Sequence, residues 1–281
     1  MVQYEDGSEK LLVKKTYGSA GPHDFNLFLR GFANTLRFAN DSNLAQATMQ
    51  VVSAEIDDNE HLVVYLEAAE DSNLAERKDL ILPAEKSDTY EKWALEFMEE
   101  VLRPLSLAHT HGIAHRDIKS QNFVYLNGKI RLIDFDHARR TGEPYIKNIQ
   151  NRPVGTYFPP EILAQEDPHF KVDIYAVGVT LYEVLTQDPH VGRGFVKDIF
   201  KKFPPLDQLV KKEKKEHFIN PEKLQNLPDS VQEIIRQATQ HDPEKRYSNA
   251  GMMIKDIHSA LKKLQLFDTQ EMENTVSALG K

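Results

Sequence analysis

The stretch HRDIKSQN at residues 115–122, followed by IDFD at residues 133–136, is the most informative part of this chain. Asp117 is a carboxylate that can accept the proton of an attacking hydroxyl group. Lys119 lies two positions later and can neutralise charge on a phosphoryl group during its transfer. Because phosphoryl transfer depends on positioning and charge neutralisation more than on covalent chemistry, we predict that both side chains are catalytic.

Two further residues of these stretches are suited to binding a divalent cation. Asn122 and Asp134 carry amide and carboxylate oxygens, which a hard cation such as Mg²⁺ prefers. Each residue alone could be an ordinary cap or turn residue. Their combination with Asp117 and Lys119 favours a magnesium site, and we predict Asn122 and Asp134 as its ligands.

The composition excludes several other kinds of protein. The chain has 281 residues, 40% of them hydrophobic, which is enough for one large domain or two lobes. Its net charge of −8 argues against nucleic acid as the main partner. It has no cysteine, so disulfides and cysteine nucleophiles are excluded. The sequence starts without a signal-peptide pattern and contains no apolar run of membrane-spanning length, so we expect a cytoplasmic protein without a membrane span.

Hydrophobic periodicity predicts a strand-rich beginning. A strand is expected over residues 10–16 and an amphipathic helix over residues 24–38. Two further strands, over residues 49–56 and 61–66, flank a polar turn and predict an antiparallel hairpin.

The rest of the chain is dominated by helical patterns. We predict long or buried helices over residues 89–111, 170–186, 231–239 and 249–264. The Asn127-Gly128 pair predicts a tight hairpin between two short strands, over residues 123–126 and 129–133, because both residues of the pair tolerate positive φ.

These elements predict an α+β fold with two lobes and a cleft between them. The single domain would consist of a reduced, β-rich lobe over residues 1–66, a hinge over 67–70, a large α-helical lobe over 71–266 and a tail over 267–281. The tail lacks a clear apolar face, so we expect it to be frayed.

The order of these motifs resembles that of the eukaryotic-type protein kinase family. IDFD occupies the position of the family's DFG motif, and GTYFPPE at residues 155–161 resembles the segment that ends in Ala-Pro-Glu. Asp173 and Gly178 match the Asp and Gly of the family's central helix. The resemblance implies that Asp173 braces the catalytic loop. It also implies that Glu161 forms a buried ion pair with Arg246.

The resemblance implies a kinase-like fold, ATP and Mg²⁺ as cofactors, and a protein as substrate. Asp117 would be the catalytic base, and Asn122 and Asp134 would bind the metal and, through it, the nucleotide. Lys119 resembles the lysine of serine/threonine kinases more than the corresponding sequence of tyrosine kinases.

The small lobe departs from the family pattern. It has no G-x-G-x-x-G loop, and only thirteen residues precede Lys14, too few for two full strands and the loop that normally covers ATP phosphates. Either the lobe is reduced, or the sequence begins inside it. LLVK at residues 11–14 resembles the strand that carries the ATP-phosphate lysine, so we predict Lys14 for that role. Lys15 would point to the other face of the strand, and the alternative that both lysines are simply exposed stays open.

An acid is missing at one family position and is added at another. The helix predicted over residues 24–38 has no glutamate, and Gly31 and Phe32 lie where the family places the acid that pairs with the lysine. Either an acid from another part of the chain orients the lysine, or no acid does. Asp136 replaces the glycine of DFG, which removes a flexible position and adds a carboxylate near the metal, where it could attract a second cation or stiffen the loop.

These features lead to a first hypothesis and an alternative. The first is an atypical serine/threonine kinase whose small lobe an activating protein or ligand would complete. The alternative is a pseudokinase that acts as a binding or allosteric scaffold. A kinase-fold enzyme acting on a non-protein hydroxyl is a third hypothesis.

Overall fold

The structure is a computed structural model. It describes residues 2–3, 9–10, 12–17, 29, 31–34, 36–37, 45, 47–68, 73–76, 88–143, 157, 159, 161, 169–188 and 219–279. Most of the helix predicted over residues 24–38 lies outside these residues, as do part of the predicted hinge and most of the segment at residues 155–161. The helical residues 31–34 and 36–37 fall within the predicted helix.

The first lobe is built from short antiparallel strands. Strands β1 (Val2–Gln3) and β2 (Glu9–Lys10) pair with each other. A three-stranded sheet of order β3-β5-β4 is formed by β3 (Leu12–Tyr17), β4 (Val51–Ile56) and β5 (Leu62–Glu67). Its three strands confirm those predicted in this part of the chain.

The second lobe consists mainly of helices around one apolar core. They are α1 (Asp88–Thr110), α2 (Phe170–Thr186), α3 (Pro221–Leu224), α4 (Asp229–Ala238) and α5 (Ala250–Leu279). Helix α2 is buried on almost every side, as its apolar sequence predicts. At Gly178 a Cβ atom would lie only 2.8 Å from side-chain atoms of Ala238 and Thr239. The glycine therefore allows α2 to approach the end of α4 closely.

Two small two-stranded sheets flank the residues of the predicted site. Strand β6 (Ile113–Ala114) pairs with β9 (Arg139–Arg140), and β7 (Phe123–Leu126) pairs with β8 (Lys129–Leu132). Asn127 and Gly128 have φ values of 53° and 69°, so the predicted tight turn is confirmed. This turn folds β8 back along β7 and thereby brings residues 133–136 next to residues 115–122.

Helix α5 is longer than the sequence analysis predicted. It continues to Leu279, so the expectation of a frayed tail from residue 267 is wrong. Residues 267–279 contain neither proline nor glycine, so none of the strong helix breakers interrupts the helix here.

The described part of the chain thus has an α+β fold with a small, strand-rich lobe and a larger helical lobe. Among its helices, none combines the length and the hydropathy that crossing a bilayer requires.

Candidate active site

A buried carboxylate holds the loop at residues 115–122 in place. Asp173, on α2, is completely buried and accepts hydrogen bonds from the backbone amides of His115 at 2.6 Å and Arg116 at 2.7 Å. His109 on α1 donates a third hydrogen bond at 3.0 Å. Burial alone would raise the pKa of Asp173, but these bonds outweigh it and hold the pKa below its ordinary value. The loop is therefore anchored to both central helices.

Three of the predicted residues meet on this loop. The Nζ atom of Lys119 lies 2.8 Å from Oδ2 of Asp117. Nδ2 of Asn122 donates to the Asp117 carbonyl oxygen at 2.7 Å and lies 3.2 Å from the same Oδ2. Asn122 sits at the end of a 3₁₀ turn, Ser120–Asn122, which leads directly into β7. The Asp117 carboxylate is thus oriented from two sides by side chains of its own loop.

Asp134 follows β8 and begins a second short turn. It adopts a left-handed conformation with φ 67° and ψ 64°, and the 3₁₀ turn Phe135–His137 comes next. The Ile133 amide donates to the Asn122 carbonyl at 2.9 Å, and Nε2 of His115 donates to the Ile133 carbonyl at 2.9 Å. These bonds connect the two stretches that the sequence analysis singled out.

Phe135 is packed inside the protein. Its side chain is 1% exposed, and its ring contacts His115 edge-on with 4.7 Å between ring centroids. This burial anchors the turn that carries Asp134 and Asp136.

Lys15, rather than Lys14, reaches the site. Its Nζ atom lies 2.9 Å from Oδ1 of Asp134 and 2.7 Å from Oδ2 of Asp136. In the sheet, Lys15 pairs with Val64, a buried residue of β5, whereas Lys14 pairs with Tyr65. Nζ of Lys14 lies 6.0 Å above the Tyr65 ring.

The choice of Lys14 in the sequence analysis therefore does not fit this geometry. Neighbouring side chains of a strand point to opposite faces, so an error of one residue in register exchanges the inward and outward positions. The LLVK pattern located the strand correctly but did not determine which of two consecutive lysines faces inward. The helical residues 31–34 and 36–37 contribute no acid, and both carboxylates that meet Lys15 come from IDFD.

The two carboxylates differ in their electrostatic surroundings. Burial favours the neutral form of Asp134, but Lys15, His115 and Lys119 outweigh this effect and lower its pKa. Burial raises the pKa of Asp136, and the charge of Asp134 adds to this effect against the opposing influence of Lys15. Asp134 is therefore the more strongly acidic member of the pair.

A small cavity adjoins the Lys15 side chain. Its volume is about 30 Å³, which is roughly the space of one water molecule. It is lined by Lys15, Phe32, Val51, Val64, Leu66, Phe135 and Asp136. The small-lobe sheet, the helical residues and the Phe135 turn thus meet around this lysine.

The donor atoms at the site fit Mg²⁺ chemistry. Within the described residues, no group of three or more His, Cys, Asp or Glu side chains forms a metal site by itself. Asp134 and Asp136 nevertheless converge on one cation, the Lys15 ammonium group. Protein sites for Mg²⁺ often use only one or two carboxylates and complete the coordination with phosphate oxygens and water. Asp134 with the amide oxygen of Asn122 meets that description.

Comparison with known proteins decides the family. A family model described as "Protein kinase domain" matches residues 41–262. The chain belongs to the protein kinase domain family. The match begins after Lys15 and Gly31, so this part of the small lobe lies outside it.

Several bacterial and plant kinases resemble this kinase domain. "Probable serine/threonine-protein kinase PknB" of Lactococcus lactis subsp. lactis is 31% identical over 58% of this chain and 25% of its own length. Serine/threonine-protein kinase PrkC of Bacillus subtilis is 33% identical over 67% and 28%, respectively. A Wee1-like protein kinase of Arabidopsis thaliana is 34% identical over 47% and 25%. The chain thus matches about a quarter of the length of these relatives.

The structure also confirms the buried ion pair that was expected in the kinase large lobe. Arg246 donates to both oxygens of Glu161, and its Nη2 atom lies 2.8 Å from Oε2. Both side chains are almost fully buried, and the Lys171 carbonyl accepts another hydrogen bond from Arg246 at 3.0 Å. The pair ties Glu161 to the first turn of α2.

One contact near the loop at residues 115–122 was not predicted. The Tyr157 hydroxyl donates to Oε2 of Glu183 and lies 3.4 Å from Oγ of Ser120. Ser120 directly follows Lys119 in the sequence. Burial and the Glu183 carboxylate together raise the pKa of Tyr157 strongly. Sequence patterns carry no signal for this contact, because its three residues come from separate segments that only the tertiary fold brings together.

Proposed function

We propose that this kinase domain transfers the γ-phosphoryl group of ATP to serine or threonine hydroxyls of a protein substrate. The observation that carries the proposal is the convergence of Lys119 and Asn122 on the Asp117 carboxylate, at 2.8 and 3.2 Å. A carboxylate that is fixed in this way can orient a hydroxyl group and take its proton. The printed names of the Lactococcus and Bacillus relatives support serine or threonine as the acceptor.

In the proposed reaction, the substrate hydroxyl oxygen attacks the γ-phosphorus atom. A new oxygen–phosphorus bond forms while the bond from the γ-phosphorus to the bridging β–γ oxygen breaks, and ADP leaves. The hydroxyl proton passes to Asp117. Lys119, held beside Asp117 at 2.8 Å, neutralises charge on the phosphoryl group in transfer.

We further propose that Asp134 and Asn122 hold Mg²⁺, which when bound neutralises charge on the nucleotide phosphates. The role that was predicted for Lys14 is assigned here to Lys15, because Lys15 is the lysine beside Asp134. Its ammonium group can bind phosphate oxygens as a point charge.

One observation favours the second candidate function, a pseudokinase scaffold. The Lys15 ammonium group is already bonded to Asp134, the proposed cation ligand, as well as to Asp136, so a cation that binds Asp134 must compete with an internal ion pair. An activating protein or ligand that completes the small lobe and frees Asp134 from Lys15 would reconcile this contact with catalysis. The two candidates therefore differ in whether Mg²⁺ and ATP bind to the chain.

The test combines a labelling assay with a binding assay. The chain is incubated with Mg²⁺, γ-labelled ATP and a generic protein substrate, alongside Asp117→Asn and Asp134→Ala variants. We expect label on protein with the unmodified chain and its loss in both variants, while Asp117→Asn still binds Mg·ATP. Label that persists in Asp117→Asn would contradict the assigned base. The absence of both label and a Mg·ATP-dependent rise in melting temperature would instead support the scaffold.

A further inference from the structure

One of the two acids bonded to Lys15 is Asp136, which occupies the position of the glycine in the family's DFG motif. Asp136 follows Phe135 and lies 2.7 Å from Nζ of Lys15, which is closer than Asp134 at 2.9 Å. About a quarter of its side chain is exposed, and about a third of the Lys15 side chain. Partial burial strengthens such a pair, because neighbouring protein atoms replace part of the screening water.

The neighbouring helix leaves no room for an acid of its own at Gly31. A Cβ atom built on Gly31 would lie 2.5 Å from Cα of Asp136, 2.8 Å from its backbone nitrogen and 2.7 Å from its Oδ1. Distances under 3 Å to backbone atoms require that the helix or the turn moves. The helix backbone therefore touches the very residue that supplies the carboxylate, and only a glycine permits this approach.

These two observations are complementary. Gly31 has no side chain to offer the lysine, and Asp136, whose backbone lies against Gly31, supplies a carboxylate to it. We propose that Asp136 is the positioning residue for Lys15 and that Gly31 provides the space that Asp136 occupies. This inference rests on the proposed function, in which Lys15 binds nucleotide phosphates.

Asp134 and Asp136 have different partners when nucleotide is bound. The proposed function assigns Asp134 to the cation, so Asp134 has a competing partner when nucleotide is present. Asp136 then remains the carboxylate that is bonded to the Lys15 ammonium group. A hydrogen bond to a charged group contributes more than a neutral one, so loss of the Asp136 charge should weaken Mg·ATP binding about tenfold to a hundredfold.

The first arm of the experiment measures the Lys15 amine directly and needs no nucleotide. Trace acetylation followed by fragment mass spectrometry gives separate labelling rates for Lys14 and Lys15. In Asp136→Asn, which keeps the side-chain volume, we expect severalfold faster labelling of Lys15 and an unchanged rate at Lys14. Gly31→Ala should also accelerate labelling of Lys15, because its Cβ displaces Asp136 from the other side. Asp58→Asn, an exposed change in the β4–β5 turn, serves as the matched control and should alter neither rate.

The second arm distinguishes positioning from direct binding of a cation by Asp136. Mg·ATP affinity is measured by calorimetry for the unmodified chain, Lys15→Met, Asp136→Asn and the double variant. If Asp136 acts through Lys15, Asp136→Asn weakens binding in the unmodified background and adds no further loss in the Lys15→Met background. An equal further loss in that background would overturn the inference in favour of a second cation ligand.

The two arms separate failure of the inference from failure of the proposed function. Unchanged Lys15 labelling in both Asp136→Asn and Gly31→Ala would overturn the inference, whatever the chain does with ATP. A chain that shows no Mg·ATP binding in calorimetry would overturn the proposed function, and with it the positioning of Lys15 for nucleotide phosphates.

Discussion

The two halves of the candidate active site are held in place by different means. In the large lobe, Asp117 sits on a loop whose backbone amides are bound to a fully buried carboxylate, Asp173. In the small lobe, Lys15 is held by two partly exposed carboxylates and by the register of one three-stranded sheet. The difference teaches that the half proposed to carry out the chemistry is built into the core, whereas the half proposed to bind nucleotide depends on a few surface-accessible contacts.

We expect the largest effect on this contrast from a change at Asp117, the proposed base in the large lobe. Asp117→Asn keeps the shape of the side chain but removes its capacity to accept a proton. We expect kcat to fall about 10²- to 10⁴-fold, the usual contribution of a positioned acid or base. The Kd for Mg·ATP should stay within about twofold, because Asp117 is assigned to the hydroxyl group of the substrate. Steady-state kinetics and calorimetry on the same preparation check both expectations.

Removal of the brace should affect stability as well as activity. Asp173→Asn exchanges a buried, hydrogen-bonded charge for an amide that cannot satisfy the same three donors, so we expect a loss of about 3–5 kcal/mol in the free energy of unfolding. Denaturant titrations at pH 7 measure this loss, with Asp58→Asn as the exposed control. If Asp173→Asn unfolds at the same denaturant concentration as the unmodified chain, the loop does not depend on this brace.

The same residue predicts a pH dependence. The folded-state pKa of Asp173 is depressed, so its stabilising contribution is complete above the ordinary aspartate value of about 4 and declines as the pH falls through the lower, folded value. The unmodified chain should therefore lose stability below pH about 4 more steeply than Asp173→Asn. Melting temperatures between pH 3 and pH 7 measure the two slopes. Equal slopes would show that the Asp173 pKa is not depressed in the folded chain.

A smaller effect is expected where α2 meets α4. Gly178→Ala would place a Cβ atom 2.8 Å from side-chain carbons of Ala238 and Thr239. Overpacking of this kind costs about 1–3 kcal/mol, which outweighs the gain of about 1 kcal/mol in helix propensity. Chemical denaturation should show a net destabilisation, with the Mg·ATP affinity unchanged in the folded variant. A stabilised variant would mean that the helices separate easily at this crossing.

Much of the large lobe could be predicted because the signals were local. The apolar run of α2 was predicted with the bounds that the structure has, since a helix buried on almost every side is apolar along most of its length. The Asn127-Gly128 turn and the meeting of Asp117, Lys119 and Asn122 also followed from short stretches. In each case the residues that interact are close together in sequence.

The small-lobe half could not be predicted to the same extent, because its contacts join distant parts of the chain. Lys15 lies more than a hundred positions from Asp134 and Asp136, and no local pattern distinguishes it from Lys14. The role proposed for Asp136 depends on the close approach of Gly31 to its backbone, which the tertiary structure shows and the sequence does not. A glycine at one position and an acid at another are ordinary by themselves, and their relation is a property of the tertiary structure.

The measurement that tests the account most directly compares the two neighbouring lysines. Lys15→Met and Lys14→Met remove the same charge one residue apart, on opposite faces of β3. We predict that Lys15→Met weakens Mg·ATP binding about tenfold or more in calorimetry, while Lys14→Met stays within about twofold of the unmodified chain. Loss of affinity in Lys14→Met with no change in Lys15→Met would contradict it.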